Sequence, residues 1–242
     1  MTTDSDYSPD VIRGEVRLKC LPTYIVLDTS SSMNDHVELL NKSLQDLHKV
    51  TYQNPEISEF AHISIIVFNT EAHLALPMSD ISQVTQLPRV GCGGRTEYAK
   101  VFERLRERID IDVPALRAAD KLVLRPAVFF MTDGAPTDGF TEQSRQTDER
   151  IWKAALSRLV DPDWERHPHV VTFGFGSANE HVLGTVATLQ AFIAEDGADQ
   201  SDALTDVFTF LLRTLSISAT RNNFVVPTAM EGYRAVELEE IS

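Results

Sequence analysis

Short, almost wholly apolar runs alternate along this chain with longer segments whose apolar residues recur every three or four positions. Because continuous apolar runs fit strands covered on both faces, they predict a mostly parallel sheet between two helical layers. A weaker run at 73–76 is predicted to be an antiparallel edge strand, and another at 191–194 a short strand near the end of the sheet. The four clear runs lie at 24–27, 63–68, 127–131 and 170–175.

The intervening segments carry helical stripes. Apolar residues at 37, 40, 44 and 47 predict a helix over about 35–52, and Ile151, Ala155 and Leu159 predict a shorter one. Similar stripes cover 99–109 and 204–215. Strand–helix alternation of this kind predicts a doubly wound α/β fold, in which ligands bind at the carboxyl ends of the strands.

Oxygen-bearing side chains follow two of the predicted strands at the point where each strand ends. Asp28, Ser30 and Ser32 alternate directly after the run 24–27, and Asp133 follows the run 127–131. Alternate spacing in a tight loop lets the first three side chains turn toward one point. Thr96 follows a glycine pair that gives its loop the freedom to approach closely. We therefore expect the five side chains to converge at one edge of the sheet.

The candidate ligands Asp28, Ser30, Ser32, Thr96 and Asp133 are all oxygen donors. Hard oxygen ligands predict one Mg²⁺, Mn²⁺ or Ca²⁺ ion and argue against zinc or copper. Two carboxylates balance the two charges of such a cation and the hydroxyls add none, so the site keeps room for one more anionic oxygen. Taken alone, Asp-x-Ser-x-Ser is a weak signal, since Asp and Ser also crowd ordinary loops and helix starts.

In their order along the chain, Asp-x-Ser-x-Ser, Thr and Asp resemble the metal-ion-dependent adhesion site of von Willebrand factor type A (VWA) domains. The resemblance runs from about residue 22 to about 220. It implies that the serines and the threonine bind the metal directly or through water, that the aspartates often act at one remove, and that a partner protein's carboxylate fills the open position. It divides the chain into a flexible acidic segment at 1–19, a VWA domain at 20–220 and an acidic C-terminal tail at 221–242.

Two further segments resemble the bacterial TerY-like branch of the family, which is associated with tellurium resistance. They are Met-Thr-Asp-Gly-Ala-Pro-Thr-Asp at 131–138 and Phe-Asn-Thr-Glu-Ala at 68–72. Domains of that branch are commonly encoded beside a protein kinase and a metal-dependent phosphatase. The resemblance implies a scaffold or regulator in stress or phosphorylation signalling, with the kinase or phosphatase as a candidate partner. The chain itself has no kinase signature and no P-loop.

Charge and cysteine content narrow the possible partners and the compartment. The 242 residues carry 22 basic and 36 acidic side chains, a formal net charge of -14. This balance argues against nucleic acid and anionic membranes as partners, since both attract a positive surface. Two cysteines are no disulfide framework, the first residues do not read as a secretion signal, and no run approaches the roughly 18 apolar residues of a membrane span. We expect a cytoplasmic protein.

Three functions fit these residues. The leading one is a non-catalytic, metal-dependent protein-interaction module. The second is a Mg²⁺-dependent phosphohydrolase with Asp28 as nucleophile, although Ser30 stands where the haloacid-dehalogenase pattern has a second Asp. The third is self-association, in which the acidic residues at 237–240 offer a carboxylate to the metal of a neighbouring copy.

Overall fold

A computed structural model describes residues 19–141 and 146–241; apart from Lys19, the predicted N-terminal segment lies outside these ranges. The described residues form one eight-stranded sheet in the order β3-β2-β1-β5-β6-β7-β8, and β4 pairs with the start of β1. The strands are β1 (Lys19–Asp28), β2 (Ala61–Phe68), β3 (Ala72–Asp80), β4 (Leu122–Val123), β5 (Ala127–Thr132), β6 (His169–Gly174), β7 (Gln190–Ala194) and β8 (Tyr233–Val236).

Helices cover both faces of this sheet. One apolar core joins α1, α2 and α6 to one face, and a second joins α3, α4 and α5 to the other. Successive residues of β1 alternate between the two cores, since Ile25 belongs to the first and Val26 to the second. The helices are α1 (Val37–Tyr52), α2 (Pro55–Phe60), α3 (Tyr98–Ala118), α4 (Glu149–Leu159), α5 (Glu180–Val186) and α6 (Gln200–Arg221), with 3₁₀ helices at Ser31–His36 and Ile81–Gln83.

The predicted fold class is confirmed. Strands β2, β1, β5, β6 and β7 are parallel, and β3 is antiparallel to β2 at one edge, as the sequence predicts. Within the described ranges, no helix combines the length and the apolar character needed to cross a bilayer.

The C-terminal residues correct the predicted domain boundary. Strand β8 pairs antiparallel with β7, so the sheet has a second antiparallel edge. Beyond β8, the Glu239 amide donates to the Gly184 carbonyl at 3.1 Å, and Ile241 packs against the core on the α3 side. A boundary at residue 220 therefore leaves strand β8 outside the domain. The residues after β8 pack on α5.

The strand order places β1 between β2 and β5. The ladder between β1 and β5 pairs Leu27 with Met131, so Asp28 comes level with Thr132 and Asp133 lies one residue further on. After β1 the chain passes to one face of the sheet, and after β5 it passes to the other face. Ligands of open α/β sheets bind in the crevice between two such neighbouring strands. The two aspartates therefore meet at the carboxyl edge of the sheet.

Candidate metal centre

Asp28 ends β1 and is only 2% exposed, yet both of its carboxylate oxygens have a donor. The Ser30 amide donates to Oδ1 at 2.8 Å, and the Thr132 hydroxyl donates to Oδ2 at 2.6 Å. The first contact closes the loop after β1 in an Asx turn. The second joins two neighbouring strands, so the position of this carboxylate is fixed from both sides.

Ser30, Ser32 and Asp133 continue the same hydrogen-bonded group. The two serine hydroxyls lie 3.1 Å apart, and the Ser32 hydroxyl donates to Asp133 Oδ1 at 2.9 Å. Asp133 and Ser30 are each 2% exposed, whereas Ser32, in the 3₁₀ helix Ser31–His36, is exposed. The group therefore begins inside the domain at the aspartates and opens to the surface at Ser32.

Thr96 is brought to this group by a loop that is bonded to the loop after β1. The Gly93 amide donates to the Thr29 carbonyl at 2.8 Å, and the Ser31 amide donates to the Gly94 carbonyl at 3.1 Å. Gly94 has φ +82°, and a Cβ there would lie 2.6 Å from Thr70 Oγ1, so this position requires glycine.

The Thr96 hydroxyl itself lies beside the chain that follows Asp133. A Cβ added at Gly134 would sit 3.8 Å from Thr96 Oγ1. The structure therefore brings all five predicted residues to one place, although the described contacts hold Thr96 through its loop and not through its hydroxyl.

Three positioning residues escape the sequence analysis or receive no definite role in it. Thr132 holds Asp28, and Thr137 clamps Thr96, since its hydroxyl accepts from the Thr96 amide at 3.1 Å and its amide donates to the Thr96 carbonyl at 2.8 Å. The buried Asp138 caps α3 by accepting from the Tyr98 and Ala99 amides. Thr132 and Asp138 could have been found in the sequence, because each is a polar residue close to Asp133 in a segment that is buried in the fold.

Among the described residues, the carboxylates of the site have no Lys or Arg partner, and His36 affects the pKa of Asp133 less than burial and hydrogen bonding do. Burial raises the pKa of Asp28 to about 6, against the opposing effect of the Thr132 and Ser30 hydrogen bonds. Burial also raises the pKa of Asp133. Burial raises the pKa of the nearby Cys92 thiol to about 11, with the two aspartates adding to it. Among the described residues, no Lys or Arg nitrogen lies within 4.0 Å of Asp28 or Asp133.

The donor set fits a hard divalent cation. Two buried carboxylates without a Lys or Arg partner are costly unless a positive charge joins them. In the part of the chain that the structure describes, no cluster of three or more His, Cys, Asp or Glu side chains forms, so hydroxyl oxygens make up the rest of this set. Carboxylate and hydroxyl oxygens suit Mg²⁺, Mn²⁺ and Ca²⁺.

No protein-family model and no curated protein sequence matches this chain. Several solved structures do match this chain. Proximal thread matrix protein 1 from the mussel byssus, in a structure with a zinc-occupied MIDAS motif, is 17% identical over 83% of this chain and 49% of its own, with TM-score 0.53. A von Willebrand factor type A protein from Catenulispora acidiphila is 12% identical over 81% and 43%, with TM-score 0.52. The pilus adhesin SpaC from Lactobacillus rhamnosus GG is 12% identical over 83% and 30%, with TM-score 0.61.

These similarities show the fold. The protein has the VWA-type α/β fold, and the chain spans about half the length, or less, of the structures that it matches. Zinc occupies the adhesion-site motif of the mussel protein, so the expectation from ligand hardness does not hold for every site on this fold.

Proposed function

We propose that this protein is a non-catalytic, divalent-metal-dependent protein-binding module. In this proposal one ion, Mg²⁺ or else Mn²⁺ or Ca²⁺, is held by Asp28, Ser30, Ser32, Thr96 and Asp133, and a partner protein supplies an Asp or Glu carboxylate to it. The observation that carries the proposal is the pair of buried carboxylates, bonded to hydroxyls and without a Lys or Arg partner among the described residues, at the carboxyl edge of the sheet.

Charge balance explains why a partner's carboxylate is the expected ligand. Asp28 and Asp133 together neutralise a divalent cation, and neutral hydroxyls complete the set without making it anionic. The centre opens to the surface at Ser32, where another molecule has access. A further carboxylate there gains a charge-assisted contact that a neutral group does not.

We also propose a finer assignment, which rests on the resemblance to the TerY-like branch. The module would act in the bacterial cytoplasm as a scaffold or regulator of stress or phosphorylation signalling, with a kinase or phosphatase of the same system as partner. Its support is the segment 131–138, in which Thr137 and Asp138 tie the loop after Asp133 to Thr96 and to α3.

Two alternatives have less support. Asp28 is a poor candidate nucleophile because both of its oxygens accept hydrogen bonds and the side chain is 2% exposed. Self-association through the acidic residues at 237–240 requires them to leave their own domain. There the Glu239 amide bonds the Gly184 carbonyl, and the Glu239 carboxylate lies 2.8 Å from His181 Nδ1.

The proposal is tested by calorimetric titration with Mg²⁺, Mn²⁺, Ca²⁺ and Zn²⁺, followed by pull-down from bacterial lysate with metal or with chelator. The double variant Ser30→Ala/Ser32→Ala is expected to lose metal binding and every metal-dependent partner. Ser31→Ala is the matched control, since the Ser31 hydroxyl donates to the Gly94 carbonyl and lies outside the ligand set. Equal metal binding by the double variant and the control would overturn the proposal.

A further inference from the structure

A second concave site lies beside the metal centre, at the carboxyl ends of β6 and β7. This crevice has a volume of about 280 Å³. Glu195 and Asp196, both exposed, are the charged residues among those that line it. Gln200 also lines it, and the remaining side chains are apolar or small and include Phe175, Ile193 and the four alanines Ala178, Ala194, Ala198 and Ala203. The crevice thus combines small and apolar side chains with two carboxylates, and polar atoms make up most of its exposed lining.

A thin wall separates the crevice from the metal centre. Gly176 and Gln200 line the crevice, and a Cβ at Gly176 would lie 2.7 Å from Gln200 Nε2 and 3.3 Å from the Asp133 carbonyl oxygen. On the other side, Gln200 Oε1 lies 2.8 Å from Nε2 of His36, which ends the 3₁₀ helix that carries Ser32. One ligand that crosses this wall can therefore contact both sites.

The surface around the crevice is acidic. Among the described residues, neither Glu195 nor Asp196 forms an ion pair, and Arg234 close by is already held by both carboxylate oxygens of Glu180. Burial, followed by the charges of Asp202 and Glu231, raises the pKa of the neighbouring Asp206.

The amino end of α6 also borders the crevice, and its partial positive charge opposes a bound cation. That end is already satisfied, because the Asp199 carboxylate accepts from the Ser201 and Asp202 amides. A cation that enters the crevice therefore meets a negative environment.

We propose that this crevice is a second subsite for the same partner, which takes a lysine or arginine side chain while the partner's carboxylate sits at the metal. The proposal rests on the function proposed above and adds the chemistry of the partner. Long basic side chains bury their methylene stem on apolar surface and keep the charged head in water. Here the stem would pack on the alanines and the head would face Glu195 and Asp196.

Sheet geometry sets the spacing of the two groups on the partner. The metal centre lies at the ends of β1 and β5, the crevice lies at the ends of β6 and β7, and neighbouring strands are about 4.8 Å apart. The two sites are thus two strand positions, or about 10 Å, apart. An extended peptide advances about 3.3 Å per residue and its side chains alternate between two faces, so an acidic and a basic residue two or four positions apart lie on the same face, at about 7 or 13 Å, and bracket this distance.

The probes are capped peptides with one Asp and one Lys separated by zero to four glycines, titrated into ¹⁵N-labelled protein with Mg²⁺ and followed by NMR. Replacement of Lys by norleucine keeps the stem and removes the charge. We expect the spacings with one and three intervening glycines to bind more tightly than the spacing with two, and norleucine to weaken them about fivefold, the upper range for an exposed ion pair. The amides of Gly197 and Ala198 should shift with the lysine peptide.

Glu195→Gln/Asp196→Asn should abolish the preference for lysine over norleucine and leave Mg²⁺-dependent binding of the Asp peptide. Glu237→Gln/Glu240→Gln removes two distant charges as a matched control and should leave that preference intact. If the wild type binds the lysine and norleucine peptides equally well in Mg²⁺, the subsite is overturned while the metal-dependent function stands. Binding of the Asp peptides without metal would instead overturn the metal-dependent function.

Discussion

Two buried groups of carboxylates in this domain are treated in opposite ways. Asp112, on α3, is 4% exposed, and it is paired with the Arg108 guanidinium and with the Tyr24 hydroxyl at 3.0 Å. Asp28 and Asp133 are equally buried, but their hydrogen-bond donors are hydroxyls and a backbone amide. Among the described residues, the fold therefore supplies a guanidinium for one group and no Lys or Arg for the other.

This difference separates a structural carboxylate from a candidate ligand. Burial raises the pKa of all three aspartates, so the direction of the shift does not distinguish them. The effects that lower the pKa do distinguish them. The largest of these at Asp112 is the charge of Arg108, whereas at Asp28 and Asp133 it is a hydrogen bond from an uncharged group. A buried charge is tolerated when it is paired, and the unpaired site is where an external cation gains most.

The largest expected effect is that of Asp112→Ala. It would leave the Arg108 guanidinium, whose side chain is 17% exposed, and the Tyr24 hydroxyl without their acceptor. Breaking a buried pair from one side costs about 3–5 kcal/mol of unfolding free energy. Urea unfolding should show the same loss in chelator and in excess Mg²⁺, because this pair does not touch the metal centre.

Asp110→Ala is the matched control on the same helix. Asp110 pairs with Arg166 at the surface, and its side chain is 45% exposed. An exposed pair contributes about 0–1 kcal/mol. If both variants lost the same amount, Asp112 would not be a structural carboxylate of the kind described, and the comparison with Asp28 would fail.

Asp28→Asn should act in the opposite direction on metal-free protein. The pKa of Asp28 rises from 3.8 to about 6 in the folded state, so between those values the folded state holds a proton that the unfolded state has lost. The stability of the wild type relative to the variant therefore falls as pH rises from about 4 to about 6, by roughly 3 kcal/mol, and is level above that. Unfolding of both proteins across this pH range, in chelator, measures the difference.

Mg²⁺ should reverse the order of the two proteins at neutral pH. At a hundred times its dissociation constant, a ligand stabilises the folded state by about 2.7 kcal/mol, and only the wild type should respond. The substitution itself is well accommodated, since the Thr132 hydroxyl also lies 3.1 Å from the Gly134 carbonyl and can donate there instead. Equal stabilisation of both proteins by Mg²⁺ would remove Asp28 from the ligand set.

Buried periodicity made most of the fold predictable from sequence. The four continuous runs are β1, β2, β5 and β6. They were predictable because a strand buried on both faces leaves a continuous apolar run that is visible locally in the sequence. Short elements leave no such pattern: α5 has seven residues, and β8 has four. In α4, the predicted inward residue Ile151 is 44% exposed and Trp152 is buried instead, since a stripe of three residues does not fix the rotation of a helix.

That the candidate ligands lie together was predictable from the sequence, whereas the residues that support them were not. Asp28, Ser30, Ser32 and Asp133 follow strands, and the carboxyl edge of a parallel sheet is where such residues meet. The roles of Thr132 and Thr137 depend on contacts across 104 and 41 residues of chain. Contacts between residues so far apart leave no local spacing pattern in the sequence. The crevice at β6 and β7 is likewise formed by loops that are distant in sequence from the metal motif.

The smallest expected effect concerns Thr132, the donor that links β5 to Asp28. Thr132→Val keeps the shape of the side chain and removes the donor to Asp28 Oδ2, so the pKa of that carboxyl should rise further and Mg²⁺ should bind about tenfold more weakly at neutral pH, at the scale of one hydrogen bond to a charged group. Thr29→Val is the matched control, because the Thr29 hydroxyl is equally buried but donates to the Phe68 carbonyl. Calorimetric titration of the two variants with Mg²⁺ separates the cases. Equal losses would mean that any buried hydroxyl at this edge supports the site, whereas a loss confined to Thr132→Val would show that the Thr132 hydroxyl specifically helps to keep the Asp28 carboxylate ionised.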